Sequence, residues 1–177
     1  MPKASNSPQQ QHQGLATQEP FWQRLALTEM DAVQWEALCD GCGKCCLHKL
    51  LDERDDLPAD APMELGEDLH YTNVACQLLD LKNGGCSNYA NRHQYVPDCV
   101  QLSIDDLGGI HFMPPSCAYR RLYEGKGLPN WHPLLHNGSR VPMETAGMAV
   151  TSHSCVHDTQ LAPEDGLIVL WPLFSGK

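Results

Sequence analysis

Cys39-Asp40-Gly41-Cys42-Gly43-Lys44-Cys45-Cys46 puts four cysteines into eight residues, and Cys76, Cys86, Cys99 and Cys117 follow at wider intervals. Thiols packed this closely serve either disulfides or a soft metal, and the redox compartment decides between them. The chain opens Met1-Pro2-Lys3-Ala4-Ser5 and runs into a Gln-rich stretch, without the basic, apolar and small-residue segments of a secretory leader. A cytoplasmic location is therefore expected, and in that reducing compartment the eight cysteines read as metal ligands. Cys39, Cys42 and Cys45 have the CxxCxxC spacing by which iron–sulfur proteins hold three corners of a cubane cluster. The likeness to ferredoxins stops there, because Cys46 follows Cys45 directly and the usual Cys-Pro continuation is missing. Successive side chains diverge, so Cys45 and Cys46 are expected to serve neighbouring metals or a bridged polynuclear centre. Eight cysteines also make two tetrahedral Cys₄ zinc sites. The donor set thus admits an iron–sulfur cluster or zinc, with the triplet favouring iron–sulfur.

Other candidates are weaker. Cys155 lies outside the pattern and reads as a thiol that is not a ligand; His153 and His157 flank it in a segment with an extended character. His132 and His136 are four apart, which on a helix would face one metal, but Pro133 confines that geometry to a first turn. His48 is a candidate donor to a thiolate, and Asp98 with Arg92 could brace the loop at Cys99. GxGxxG, Walker, HExxH and GxSxG motifs are absent, so nucleotide-driven and hydrolytic chemistry lack their usual residues.

The elements that must position these thiols are short. Residues 1–19 hold five Gln and almost no large apolar side chains, and read as a flexible tail before a single domain over 20–177. Thr28 with Asp31 resembles a capping box, predicting a helix that turns Met30, Val33 and Ala37 to one face and ends at Cys39. Gly41 and Gly43 let the backbone curl around a ligand atom. The stretch 52–68, with eight acidic side chains against one Arg, predicts a solvated loop without the spacing of a calcium site. Strands are expected at His70–Val74 and Leu78–Leu81, with Asn83-Gly84-Gly85 turning a hairpin that brings Cys76 and Cys86 together. Ser103 and Asp106 predict a single helical turn stopped by Gly108-Gly109. Ser116 is expected to cap a short helix with Cys117 in its first turn, ending before Gly125. Met148–Thr151 and Gly166–Trp171 read as strand-like, the latter as a buried strand or turn.

With 13 Pro, 14 Gly and 7% aromatic residues, the composition implies a small, loop-rich α+β fold in which metal supplies stability that a larger apolar core would otherwise give. A formal net charge of −10 disfavours nucleic acid, and no apolar run approaches the ~20 residues of a membrane span. A protein partner stays open.

The order of residues resembles the bacterial CxxCxxCC family of zinc- or iron-chelating proteins: CxxCxxCC, Cys76 before Leu78-Leu79, Cys86-Ser87-Asn88-Tyr89 with Arg92, and Pro97-Asp98-Cys99. Within it the YcgN-like branch is the nearer match. Pro20-Phe21-Trp22, Cys46-Leu47-His48-Lys49-Leu50, Thr72-Asn73-Val74-Ala75-Cys76, Ser116-Cys117-Ala118-Tyr119-Arg120 and Leu128-Pro129 leading to Trp131-His132-Pro133-Leu134-Leu135 carry the likeness over roughly residues 20 to 136. The resemblance implies an eight-cysteine metal centre in a small cytoplasmic protein. A wider relation to flagellin lysine methylases runs through the cysteine cluster alone and implies no methyl transfer. The expected function is metal binding with an electron-transfer, structural or interaction role. The alternatives are an enzyme with an open iron site, or a protein that stores and delivers metal.

Overall fold

The structure, a computed structural model, describes residues 19–52 and 68–174. The expected tail, apart from Glu19, and the acidic stretch, apart from Asp52 and Asp68, lie outside the described residues. Among the described residues five short helices, α1 (Phe21–Arg24), α2 (Ala32–Ala37), α3 (Arg92–Tyr95), α4 (Ala118–Tyr123) and α5 (Val141–Thr145), alternate with 3-10 turns. They surround one sheet of β1 (Leu47–Leu51), β2 (Leu69–Ala75) and β3 (Val156–His157), a mixed α+β arrangement rich in loops.

β2 is central because its residues are covered on both faces, with Leu69, Tyr71, Thr72, Val74 and Ala75 all buried. β1 pairs with it antiparallel, Leu47 opposite Ala75 and Lys49 opposite Tyr71, with a bulge between Leu47 and Lys49. β3 runs parallel beside Val74 and Ala75. The rest of that edge is closed by the apolar run near the C-terminus: Asn73 N donates to Leu167 O at 2.9 Å and Val169 N to Tyr71 O at 2.8 Å. That run is not the expected buried strand. It makes a single bridge, Thr72 to Ile168, and exposes Leu167, Ile168 and Leu170 while Val169 and Trp171 pack inward.

Several elements differ from the sequence expectation for local reasons. The box at the start of α2 is made by Asp31 rather than Thr28: Asp31 Oδ1 accepts from Gln34 N at 2.8 Å and Gln34 Oε1 accepts from Asp31 N at 3.0 Å. Starting one turn later rotates the face, so Met30 meets the core as expected, but Val33 is 79% exposed and Trp35 and Leu38 pack inward in its place. Gly108-Gly109 do not stop the turn at Ser103; a 3-10 segment continues from Ile104 to Phe112, pinned by buried Leu107 and Ile110 on either side of the glycines. Ser116 does not cap α4. Cys117 is its N-cap, one residue before the first turn, while Ser116 is buried against Lys44. Leu78–Leu81 forms one antiparallel bridge, Leu79 to Cys86, rather than a strand, and Val150–Ser152 is a 3-10 turn. No described helix is long and apolar enough to cross a membrane.

Candidate metal centre

The register of β1 and β2 builds the middle of the site. Because Leu47 faces Ala75, the residues just outside each strand, Cys46 and Cys76, become neighbours, and Cys76 N donates to Cys46 O at 2.9 Å. Cys86 returns toward Cys76 over a turn in which Asp80 Oδ1 accepts from both Lys82 N and Asn83 N at 2.9 Å. Cys99 follows α3, and its charge and that of Cys86 both reach the Cys76 thiol. Leu79 bridges to Cys86 and donates its N–H to Cys76 O at 2.9 Å, so Cys76 and Cys86 approach each other as expected.

The second gathering forms on the other side of Cys46. Gly41 and Gly43 take φ of +68° and +79°, which lets the chain fold over Cys42 before the turn Lys44–Cys46. Val150 N clasps the loop through Cys42 O at 2.8 Å, and Trp131, Met143, Met148 and Ala149 back the Cys42 side chain. Cys45 is the hub: its charge reaches Cys39, Cys42 and Cys117, and its Sγ lies 3.9 Å from that of Cys46. The Cys39 and Cys117 thiols are pushed up to about 12, by burial first and then, among other causes, by the negative charges of Asp40 and Cys45. Cys42 and Cys45 are raised as well, Cys42 by burial and Cys45 foremost by its contact with Cys46. The Cys39 and Cys45 residues nevertheless reach the surface on one side.

All nine cysteines are free. Among the described residues no three Cys, His, Asp or Glu side chains converge around a point as a ready-made ligand set. The donor chemistry still fits a thiophilic cation. The negative charges of Asp40 and Cys45 both raise the thiols of Cys39, Cys42 and Cys117, which an added cation would relieve. Two ammonium groups partly answer that charge. Lys49 Nζ donates to Leu47 O at 3.0 Å and lies 4.7 Å over the Tyr71 ring. Lys44 is fully buried, donates to Ser116 Oγ at 2.8 Å and lies 5.9 Å from the Trp171 ring.

The histidine candidates are occupied elsewhere. His48 Nε2 pairs with Asp158 Oδ2 at 2.9 Å rather than with a thiolate. The His132 ring sits between Leu38 O and Leu134 N, and His136 Nε2 meets Asn130 O, so the two do not share a metal. His153 and His157 donate to Gly147 O and Leu79 O, each at 2.8 Å, and make no site around Cys155. Cys155 packs against the Leu47, Tyr71 and Leu79 cluster. Arg92 donates to Tyr89 O and stacks on that ring instead of bracing Asp98. The sequence reading passed over Asp40, Lys44 and Asp158; the signal was there for the first two, as charged residues inside a CxxCxxCC loop whose neighbours are all small or thiol-bearing.

Residues 38–118 match the CxxCxxCC family model, whose description is "Putative zinc- or iron-chelating domain". A UPF0260 protein of Shewanella sediminis is 45% identical over 153 residues, 86% of this chain and 96% of its own length. Another from Shewanella baltica is 46% identical over the same shares, and one from Enterobacter is 48% identical over 142 residues, 80% of this chain and 88% of its own. The chain belongs to the UPF0260 family. Its zinc- or iron-chelating domain spans all eight clustered cysteines and stops before Cys155, the division read from spacing alone. No solved structure matches the chain.

For this UPF0260 chain, Lys44→Met is expected to separate charge from packing. A buried ammonium costs desolvation, so the metal-free variant should unfold within about 1 kcal/mol of wild type or later. At about 6–12 Å and an effective dielectric of about 20, one ammonium stabilises one thiolate by roughly 1.4–2.8 kcal/mol. Metal affinity, measured by chelator competition, should therefore fall about 10- to 100-fold. Unchanged affinity would assign Lys44 a packing role alone.

Proposed function

We propose that the chain is a cytoplasmic metal-binding protein in which Cys39, Cys42, Cys45, Cys46, Cys76, Cys86, Cys99 and Cys117 hold an iron–sulfur centre near the surface, and that it works by electron transfer. The observation that supports the reading is the adjacent pair Cys45 and Cys46, whose Sγ atoms lie 3.9 Å apart, in a loop that carries Cys39 and Cys42 and is tied to Cys76 by Cys76 N donating to Cys46 O at 2.9 Å. Thiols that reach the surface favour electron exchange, and the CxxCxxC triplet favours iron. The count of eight cysteines favours a second reading, two closed Cys₄ zinc sites with a structural or docking role.

Protein purified without oxygen and without a metal-affinity tag decides between them. A broad absorption near ~400 nm with iron and acid-labile sulfide is expected. Colourless protein with about two zinc ions per chain would replace this reading by the second. Protein lacking both metals would overturn the two together.

A further inference from the structure

Asp40 lies between Cys39 and Cys42 and is 7% exposed. Its Oδ1 accepts the Cys42 N–H at 2.9 Å, which fixes the carboxylate against the loop, while Oδ2 is buried with no hydrogen-bond partner in the protein. A buried carboxylate oxygen left in that state costs several kcal/mol unless a cation meets it. The side chains around it do not. Lys44 Nζ is directed to Ser116 Oγ and, at 3.5 Å, to Phe174 O. His132 uses Nε2 toward Leu38 O and Nδ1 as the acceptor for Leu134 N. Arg140 gives Nη1 to Gly41 O at 3.1 Å and has Nε 3.6 Å from Glu144 Oε1, and its Nε and Nη2, though buried, make no hydrogen bond to Asp40 or to any other group. Oδ2 thus stays unpaired in a loop flanked by Cys39 and Cys42, and the Asp40 charge acts on the thiols of Cys39, Cys42, Cys45 and Cys117 as well as on Lys44 and His132.

We propose that Asp40 is an oxygen ligand of the metal centre, binding through Oδ2 beside the thiols of Cys39, Cys42, Cys45 and Cys117. This rests on the metal-centre reading above and adds to it. A closed tetrahedral site uses four donors, and a carboxylate among four thiols is one more. The centre is then mixed in donor type and has an exchangeable position, because the oxygen arm can leave while the thiolates hold the metal. The carboxylate binds through one oxygen, since the other is held by the backbone of Cys42.

X-ray absorption at the metal edge tests this on the full chain, as purified and after reconstitution with cobalt(II). Wild type should show sulfur at about 2.3 Å and an oxygen scatterer at about 2.0–2.2 Å. Asp40→Asn keeps an acceptor for Cys42 N–H and the same shape. It should retain the sulfur shell and the thiolate charge-transfer intensity of cobalt(II), shift the cobalt d–d bands, and release metal to a chelator at least tenfold more readily. An all-sulfur shell in wild type, with bands unmoved by Asp40→Asn, would overturn the role of Asp40 and leave the thiolate centre standing. A wild-type shell without sulfur would overturn the thiolate centre itself. The wild-type spectrum decides the ligand question even where the variant folds poorly.

Discussion

Cys45→Ser is expected to lose metal and to unfold at markedly lower temperature, whereas Cys155→Ser keeps both properties. The Cys45 charge is among the causes that raise Cys39, Cys42 and Cys117, and its Sγ lies 3.9 Å from that of Cys46. A serine hydroxyl stays protonated near neutral pH and cannot replace a thiolate toward a soft metal. Structural zinc contributes apparent binding free energies of about 10–16 kcal/mol, and most of that is folding free energy in a small domain. A ligand loss that releases the metal therefore removes an amount comparable with the roughly 5–15 kcal/mol by which domains are typically stable. Cys155 packs in the Leu47 and Tyr71 cluster, and serine there costs only a buried polar substitution. Elemental analysis and thermal unfolding of the two variants, with Cys46→Ser beside them, give the answer. If the sites are separate, Cys45→Ser and Cys46→Ser each lose about half of the metal; in a bridged cluster each loses all of it. Wild-type metal content in Cys45→Ser would rule out the hub role.

The approach of Cys76 and Cys86 was legible because the turn between them is local. Cys76 and Cys86 are joined by a turn whose Asn83-Gly84-Gly85 is visible in the sequence, and β2 carries an apolar stretch that marks its position. β1 was not legible. Leu47-His48-Lys49-Leu50-Leu51 has no clean alternation, and the bulge between Leu47 and Lys49 breaks the period that would have revealed it. Yet that strand sets Cys46 against Cys76. The histidines misled for a related reason. Spacing such as His132 to His136 states what a helix would do, while buried backbone carbonyls at Leu38 and Asn130 claim the same ring nitrogens. Lys44 was visible as a charge inside the cysteine loop, but its burial was not, because its partners Ser116, Trp171 and Phe174 come from distant parts of the chain.

Gly43→Ala is expected to destabilise the protein by about 2–5 kcal/mol and to weaken metal binding, although alanine ligates nothing. The backbone at Gly43 has φ +79° and ψ −1°, where an L side chain costs roughly 1–2 kcal/mol. A Cβ there would stand 2.8 Å from Val150 Cγ1 and 3.2 Å from Leu79 Cδ1. Val150 cannot swing aside, being β-branched, 1% exposed and tied by its N–H to Cys42 O at 2.8 Å. Overpacking of this kind costs about 1–3 kcal/mol more. The loop must shift instead, and it carries Cys42 and Cys45 with it. The steric share is separable from the backbone share: in the Gly43→Ala, Val150→Ala cycle, the double variant should be more stable than the sum of the singles by about 1 kcal/mol or more. Urea unfolding of the four proteins, with and without metal, measures it. Additive effects would place the whole cost in the backbone, and a neutral Gly43→Ala would mean that the loop does not take this conformation in solution.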